Sequence, residues 1–243
     1  MLVNGSNSLR SSSVLFSASF FEFQPNFYKR TGFISGNMKA ILLLSGGIDS
    51  PVAGWLMKRK GYELLALHCS GEPFTKQEAE DKAMTLAQKI GCSKFIVVPF
   101  GFLQAEVVKQ CRHKYYYIII KRFMLRIAER IMIEQGAQAI IKGDCIGQVG
   151  SQTIPNMSVI SRAISTRVSR PLMCFDKEEI ITVARKIGTY ELSIGPETCS
   201  LLGPKHPATK STPEVIAYEE ANLEVGKLVE EAVRQKREAN LYQ

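Results

Sequence analysis

A short apolar run, Ala40 to Leu44, stops at Ser45-Gly46-Gly47-Ile48-Asp49-Ser50, and a helical period begins at once with Pro51 in its first turn. An uninterrupted apolar stretch of this kind predicts a strand buried on both faces, as in parallel sheets covered by helices. Proline is tolerated in the first turn of a helix, and Asp49 or Ser50 is the expected cap. The same residues describe an anion site. Glycines let the backbone approach a ligand closely, successive amides form a nest, and the helix start adds positive potential. The hydroxyls of Ser45 and Ser50 add donors. Asp49 would repel a phosphate and is read instead as the carboxylate of a magnesium ion bridging phosphates. The spacing fits neither GxxxxGK[ST] nor GxGxxG, and an ordinary serine- and glycine-rich connection is the plain alternative.

The alternation continues downstream. Strands are predicted at Glu63 to His68, Lys94 to Pro99 and Ala137 to Lys142. Helices are predicted from Gln77 to Ile90 and from about Phe102 to Gln135, the second broken around Gln110 to Tyr115. A glycine-spaced loop, Gly143 to Gly150, follows the last strand. The expectation is an α/β domain over residues 38–212, a doubly wound and mostly parallel sheet with helices on both faces, Rossmann-like in type. Residues 213–243 read as a charged C-terminal helix. Residues 1–37, rich in Ser, Asn and Phe, read as a disordered leader; Val14 to Phe21 only faintly resembles a targeting peptide, with no clear cleavage site.

Composition narrows the class. An apolar fraction of 45% supports a packed core and excludes a disordered chain. No run reaches the roughly 18–20 apolar residues of a membrane-spanning helix, so no membrane partner is expected. The six cysteines are scattered, without a CxxC pair, which fits a reducing, cytoplasmic setting better than a disulfide framework. The net charge of +8 suits a polyanionic partner, though an idle basic surface explains it equally well. Lys109 to Arg130 carries seven basic residues (Lys109, Arg112, Lys114, Lys121, Arg122, Arg126, Arg130) with Tyr115-Tyr116-Tyr117 among them. That pattern is a candidate RNA surface, phosphates to the cations and bases on the rings, with Lys109, Arg112, Lys114, Arg122 and Arg126 as its contacts. A core-facing helix with solvated charges is the alternative. Arg162, Arg167 and Arg170 form a second possible phosphate-facing stripe.

The SGGIDS turn resembles the PP-loop of the adenylating ATP pyrophosphatases. Further motifs select one branch: Gly71-Glu72-Pro73-Phe74-Thr75, Lys121-Arg122-Phe123-Met124-Leu125-Arg126-Ile127, Gly147-Gln148-Val149-Gly150-Ser151-Gln152-Thr153, Arg170-Pro171-Leu172, Asp176-Lys177-Glu178-Glu179 and Cys199-Ser200-Leu201-Leu202-Gly203-Pro204-Lys205-His206-Pro207. From about Lys39 to Pro213 the chain is similar to the PP-loop domain of the tRNA 4-thiouridine synthetases, the tRNA uracil sulfurtransferases associated with thiamine biosynthesis. The resemblance implies ATP and pyrophosphate contacts at Leu43, Leu44, Ser45, Gly46, Gly47, Asp49, Ser50, His68, Cys69, Lys121, Gly143 and Gln152. Lys121 stands where the family usually has an arginine, keeping the charge without the planar fork.

It also implies the chemistry: ATP activates a uracil oxygen of tRNA by adenylation, pyrophosphate leaves, and sulfur arrives from a cysteine persulfide. Asp49 and Cys199 are the implied catalytic residues, Cys199 with Lys205 and Lys210 near in sequence to favour its thiolate. A cysteine desulfurase or other donor protein would load the sulfur. The usual N-terminal THUMP region and C-terminal rhodanese domain have no counterpart in these residues, so a separate THUMP-type RNA-binding chain is an expected partner. Without CxxC, an iron–sulfur cluster is not expected. Adenylation of a small molecule or carrier protein, as in thiazole synthesis, and a catalytically silent tRNA-binding accessory are the alternatives.

Overall fold

A computed structural model describes residues 38–194 and 202–241. The expectations for residues 1–37 and for Cys199 lie outside the described residues. The chain runs β1 (Lys39–Leu43), α1 (Asp49–Arg59), β2 (Glu63–Ser70), α2 (Gln77–Lys89), β3 (Lys94–Pro99), α3 (Gly101–Gln110), α4 (Tyr116–Glu134), β4 (Ala139–Ile141), α5 (Ile154–Ser161), β5 (Val168–Ser169), α6 (Lys177–Lys186), α7 (Tyr190–Ser193), α8 (Pro213–Glu220), α9 (Val225–Arg234) and β6 (Arg237–Asn240). The six strands form one sheet in the order β5-β4-β1-β2-β3-β6, parallel except for β6.

Both faces of the sheet are covered, as the apolar strand runs require. Successive residues of β1 point to opposite sides: Ala40 and Leu42 pack with Val52 and Met57 of α1, Leu86 of α2 and Ile180 and Val183 of α6. Ile41 faces Leu103 of α3, Phe123 and Ile127 of α4, Ile160 of α5, Ile216 of α8 and Val229 of α9. The fold class expected from the sequence is the one observed. The strand order reverses beside β1, because β2 and β3 extend one way and β4 and β5 the other. In such sheets the crevice beyond the carboxyl ends of the strands at this reversal is where ligands bind.

Two local expectations need correction, at the cap of α1 and after Pro213. The cap position of α1 is Ile48, and no side chain caps it; Asp49 and Ser50 lie inside the first turn with their side chains engaged elsewhere. Neither Gly46 nor Gly47 has a positive φ, so the turn uses glycine for closeness of approach, as expected. The stretch after Pro213 is two helices, α8 and α9, followed by the antiparallel edge strand β6. All four residues of β6 are exposed, so no apolar alternation marked it in the sequence. It is held through its backbone, by Glu238 on Lys94 at 2.9 Å and by Arg237 on the buried Glu80 at 2.8 Å.

Candidate nucleotide and anion site

Four strand ends meet at the reversal point. The turn after β1 closes on itself through its two serines. Ser50 Oγ accepts from the Ser45 amide at 3.0 Å and lies 3.1 Å from Ser45 Oγ, which in turn accepts from the Gly47 amide at 3.3 Å. Among the described residues, the Gly46 and Ile48 amides meet no acceptor, which leaves donors at the mouth of the turn. That is the nest expected of an anion-binding turn. Gly46 packs against the aliphatic stem of Lys82, whose ammonium donates to Ser193 O at 2.8 Å.

Asp49 is met by Lys177, the first residue of α6, with Nζ 2.6 Å from Oδ1. Asp176 sets that lysine in place, because its side chain caps α6 in a reciprocal capping box with Glu179. The loop after β4 comes against the same helix start. A Cβ on Gly143 would lie 2.8 Å from the Asp49 carbonyl carbon and from the Ser50 nitrogen, so only glycine permits this approach.

At the end of β2, His68 Nδ1 is 3.0 Å from the Leu44 carbonyl. A carbonyl only accepts, so Nδ1 carries the proton and Nε2 is the acceptor. Burial lowers the His68 pKa, outweighing this bond, and keeps the ring neutral. The Cys69 thiol is pushed up to about 12 by burial, with Lys142 pulling the other way; it is no nucleophile at neutral pH.

Behind the turn stands a charge cluster that joins Lys121 and Arg170, each from a quoted motif, to Lys142 and Asp144, which no quoted motif contained. Asp144 has three cations around it: Lys142 Nζ at 3.0 Å, Arg170 Nε at 3.2 Å and Lys121 Nζ at 3.5 Å. Burial alone would raise the Asp144 carboxyl, but Lys142, Lys121 and Arg170 outweigh it and hold it well below the usual carboxylate range. Burial pushes Lys142 down to about 8 against the upward pull of Asp144. Outside its ion pair with Asp144, the buried Lys142 Nζ makes no hydrogen bond, and the buried Gln152 Oε1 has no hydrogen-bond partner among the described residues. Buried polar groups are nearly always paired, so the spare donors of Lys142 and the Gln152 carbonyl are left to meet a ligand.

The implied ATP contacts Leu43, Leu44, Ser45, Gly46, Gly47, Asp49, Ser50, His68, Cys69, Lys121, Gly143 and Gln152 therefore lie toward the carboxyl ends of the strands, with Lys177, Lys142 and Arg170 added. Arg170 is turned inward onto Asp144 and Ser161 Oγ and is not a phosphate-facing surface residue, whereas Arg162 and Arg167 are exposed.

The expected RNA surface is only partly present. Arg122 and Arg126 both grip the Glu220 carboxylate of α8, at 2.8 and 2.7 Å, and Arg112 pairs with Glu219. Tyr115 and Tyr116 are core residues. Arg122 and Arg126 are thus struts between α4 and α8, which the sequence could not show because their partner lies far along the chain. Lys109 and Lys114 are exposed. Among the described residues, no cluster of three His, Cys, Asp or Glu is placed to hold a metal, and no helix is long and apolar enough to cross a membrane.

Beyond the part outside the described residues, residues 202–211 are strapped back to this edge. His113 Nε2 is 2.8 Å from Leu202 O, and the Ala208 amide donates to Lys114 O at 2.8 Å. The fully buried Asn156 donates to Gly150 O at 2.7 Å and to Ala208 O at 2.9 Å, and accepts from Ser211 Oγ at 2.7 Å.

Comparison with known proteins agrees with this geometry. The chain is 43% identical over 201 residues to a probable tRNA sulfurtransferase of Brevibacillus brevis and 42% identical over 201 residues to one of Moorella thermoacetica, in each case over 80% of this chain. It covers 50% and 52% of those proteins, so it spans about half the length of the curated relatives it matches. A crystal structure of a 4-thiouridine synthetase–RNA complex with bound ATP superimposes with a TM-score of 0.80 at 39% identity, covering 85% of this chain and 56% of that one. The model of the ThiI family, described as thiamine biosynthesis protein, matches residues 35–225, and the chain belongs to that family.

Proposed function

We propose that this chain is the ATP-using, adenylating part of a tRNA uridine thiolation enzyme that forms 4-thiouridine. The observation that carries the reading is the meeting, at one sheet edge, of the serine-closed turn Ser45–Ser50 with the glycine-only approach of Gly143 to its helix start. The ATP-bound 4-thiouridine synthetase that the chain resembles supports it.

In this reading the amides of the turn and the start of α1 hold the pyrophosphate portion of ATP, and Lys177 adds charge to it. Asp49 would be the carboxylate that holds a magnesium ion, which commonly uses only one or two protein carboxylates. When bound, the ion would offset the charge of the departing pyrophosphate. A uracil oxygen attacks the α-phosphorus and pyrophosphate leaves. The terminal sulfur of a persulfide on Cys199 then attacks the activated carbon, and the oxygen departs with AMP. The disulfide left between Cys199 and the base is opened by a second thiol, from a protein cysteine or an external reductant. A persulfide-donating protein such as a cysteine desulfurase loads Cys199, and exposed Lys109 and Lys114, with a separate or appended RNA-binding module, hold the tRNA. The family's thiamine description favours a second reading, sulfur delivery to a small molecule or carrier.

ATP–pyrophosphate exchange with and without unmodified tRNA, followed by mass spectrometry of the tRNA nucleosides, tests the proposal. Exchange should depend on tRNA, vanish in Asp49→Ala, and persist in Cys199→Ser while 4-thiouridine is lost. Exchange indifferent to tRNA would instead support the small-molecule reading, and absence of exchange in the intact chain would overturn both.

A further inference from the structure

We propose that Lys142, with Lys121, forms the seat of a phosphate group at this sheet edge, distinct from the amide turn after β1. Lys121, Lys142 and Arg170 bring three positive charges to the single carboxylate of Asp144, and their side chains are 21%, 8% and 8% exposed. The cluster therefore carries two positive charges more than its own residues cancel. An uncompensated charge away from water is costly, and burial does push Lys142 down to about 8. Arg170 spends its guanidinium on Asp144 and Ser161. Lys142 does not: its ammonium has three protons, yet beside the 3.0 Å ion pair with Asp144 it makes no hydrogen bond. A ligand that completes the cluster needs negative charge and closely spaced acceptor oxygens, which is the chemistry of a phosphate.

Its position says which one. Lys142 is followed directly by Gly143, whose backbone abuts Asp49 and Ser50, and its charge is felt by Cys69 at the end of β2. The seat lies beside the turn, behind the start of α1. This assignment rests on the adenylating reading above: with the turn holding the two phosphates that leave as pyrophosphate, the seat takes the α-phosphate, which stays with the adenosine. A phosphodiester of bound RNA offers the same chemistry from another source.

Calorimetric titration of the full chain and its Lys142→Met variant with AMP, with inorganic pyrophosphate and with a short RNA oligonucleotide separates these cases. The expected result is a tenfold or greater loss of AMP affinity in Lys142→Met, with pyrophosphate changed less than twofold and the melting temperature not lowered. Lys142→Gln provides a second variant of different shape, and the AMP loss should appear in both. Equal AMP affinity in wild type and variants, equal losses for AMP and pyrophosphate, or no AMP binding by the wild type overturns the seat. A loss confined to the oligonucleotide overturns its assignment to the nucleotide. AMP binding that depends on Lys142 in a chain without ATP–pyrophosphate exchange would leave the seat standing and remove the adenylation reading; exchange with Lys142-independent AMP binding would do the reverse.

Discussion

Lys177 Nζ lies 2.6 Å from Asp49 Oδ1, joining the start of α6 to the start of α1 across 128 residues of sequence. The two side chains are 47% and 20% exposed, so the pair contributes only about 0–1 kcal/mol to stability. Its value is placement, for it keeps an ammonium beside the one carboxylate of the turn. Lys177→Met should therefore shift the melting temperature by less than about 4 °C while lowering ATP–pyrophosphate exchange about tenfold or more, a barrier increase of about 1.4 kcal/mol. Lys177→Arg should recover part of the rate. Unchanged exchange in Lys177→Met would remove the lysine from the site.

Gly143 and Gly147 are both loop glycines after β4, yet they should respond differently to alanine. At Gly143 the new methyl meets backbone at 2.8 Å, where nothing can yield without moving the turn. At Gly147 φ is +81° and nothing lies within 4 Å of the added carbon, so only local strain opposes it. Gly143→Ala should cost about 1–3 kcal/mol by urea unfolding and abolish nucleotide binding. Gly147→Ala should cost about 1 kcal/mol and leave binding measurable.

Lys142 gives the fold a pH dependence whose sign can be worked out. It releases its proton near pH 8 in the fold and near its ordinary value of 10.5 in the unfolded chain. Below pH 8 both states hold the proton and the fold bears the full cost of a buried charge. Between about pH 8 and 10.5 the unfolded chain binds more protons, so this group's contribution to stability rises with pH. Lys142→Met should therefore unfold at a higher temperature than wild type at pH 7, and the gap should close as pH approaches 10. A gap that widens toward pH 10 would contradict the burial of that charge.

Strands β1 to β4 were legible because they are apolar runs; β3 was bounded at Lys94 and Pro99 from sequence alone, and the break in the long helix fell where α3 gives way to α4. The turn was read as an anion site from its own residues, whereas His68, Gly143 and Gln152 were found through motif resemblance, which reports positions without partners. What stayed hidden depends on residues distant in sequence. Arg126 looked like a surface cation until Glu220, 94 residues on, neutralised it. Nothing local distinguishes Lys142 from a solvated lysine at a strand end, since only the fold brings Asp144, Lys121 and Arg170 around it. Strand β6 was missed for a different reason, its backbone pairing leaving no imprint on exposed side chains.

Asn156 shows the same dependence on distance and leads to the last test. Its amide group donates at once to Gly150 O, in the loop that carries Gln152, and to Ala208 O, in the stretch that follows Cys199. Asn156 has no exposed surface, so its three hydrogen bonds are made away from water, although Gly150 and Ala208 are themselves half-buried. A hydrogen bond contributes about 0.5–1.5 kcal/mol net and Asn156 makes these two and one more with Ser211, so Asn156→Ala should lose about 2–4 kcal/mol by urea unfolding. Because Lys205 and Lys210 are exposed on the strapped segment, trypsin should cut after them faster in the variant than in wild type at equal folded fraction. If Asn156 sets the distance between the loop that carries Gln152 and the segment that follows Cys199, the proposed thiolation should fall further than ATP–pyrophosphate exchange at a temperature where the variant is folded. Equal losses in the two reactions would reduce Asn156 to a contributor to stability alone.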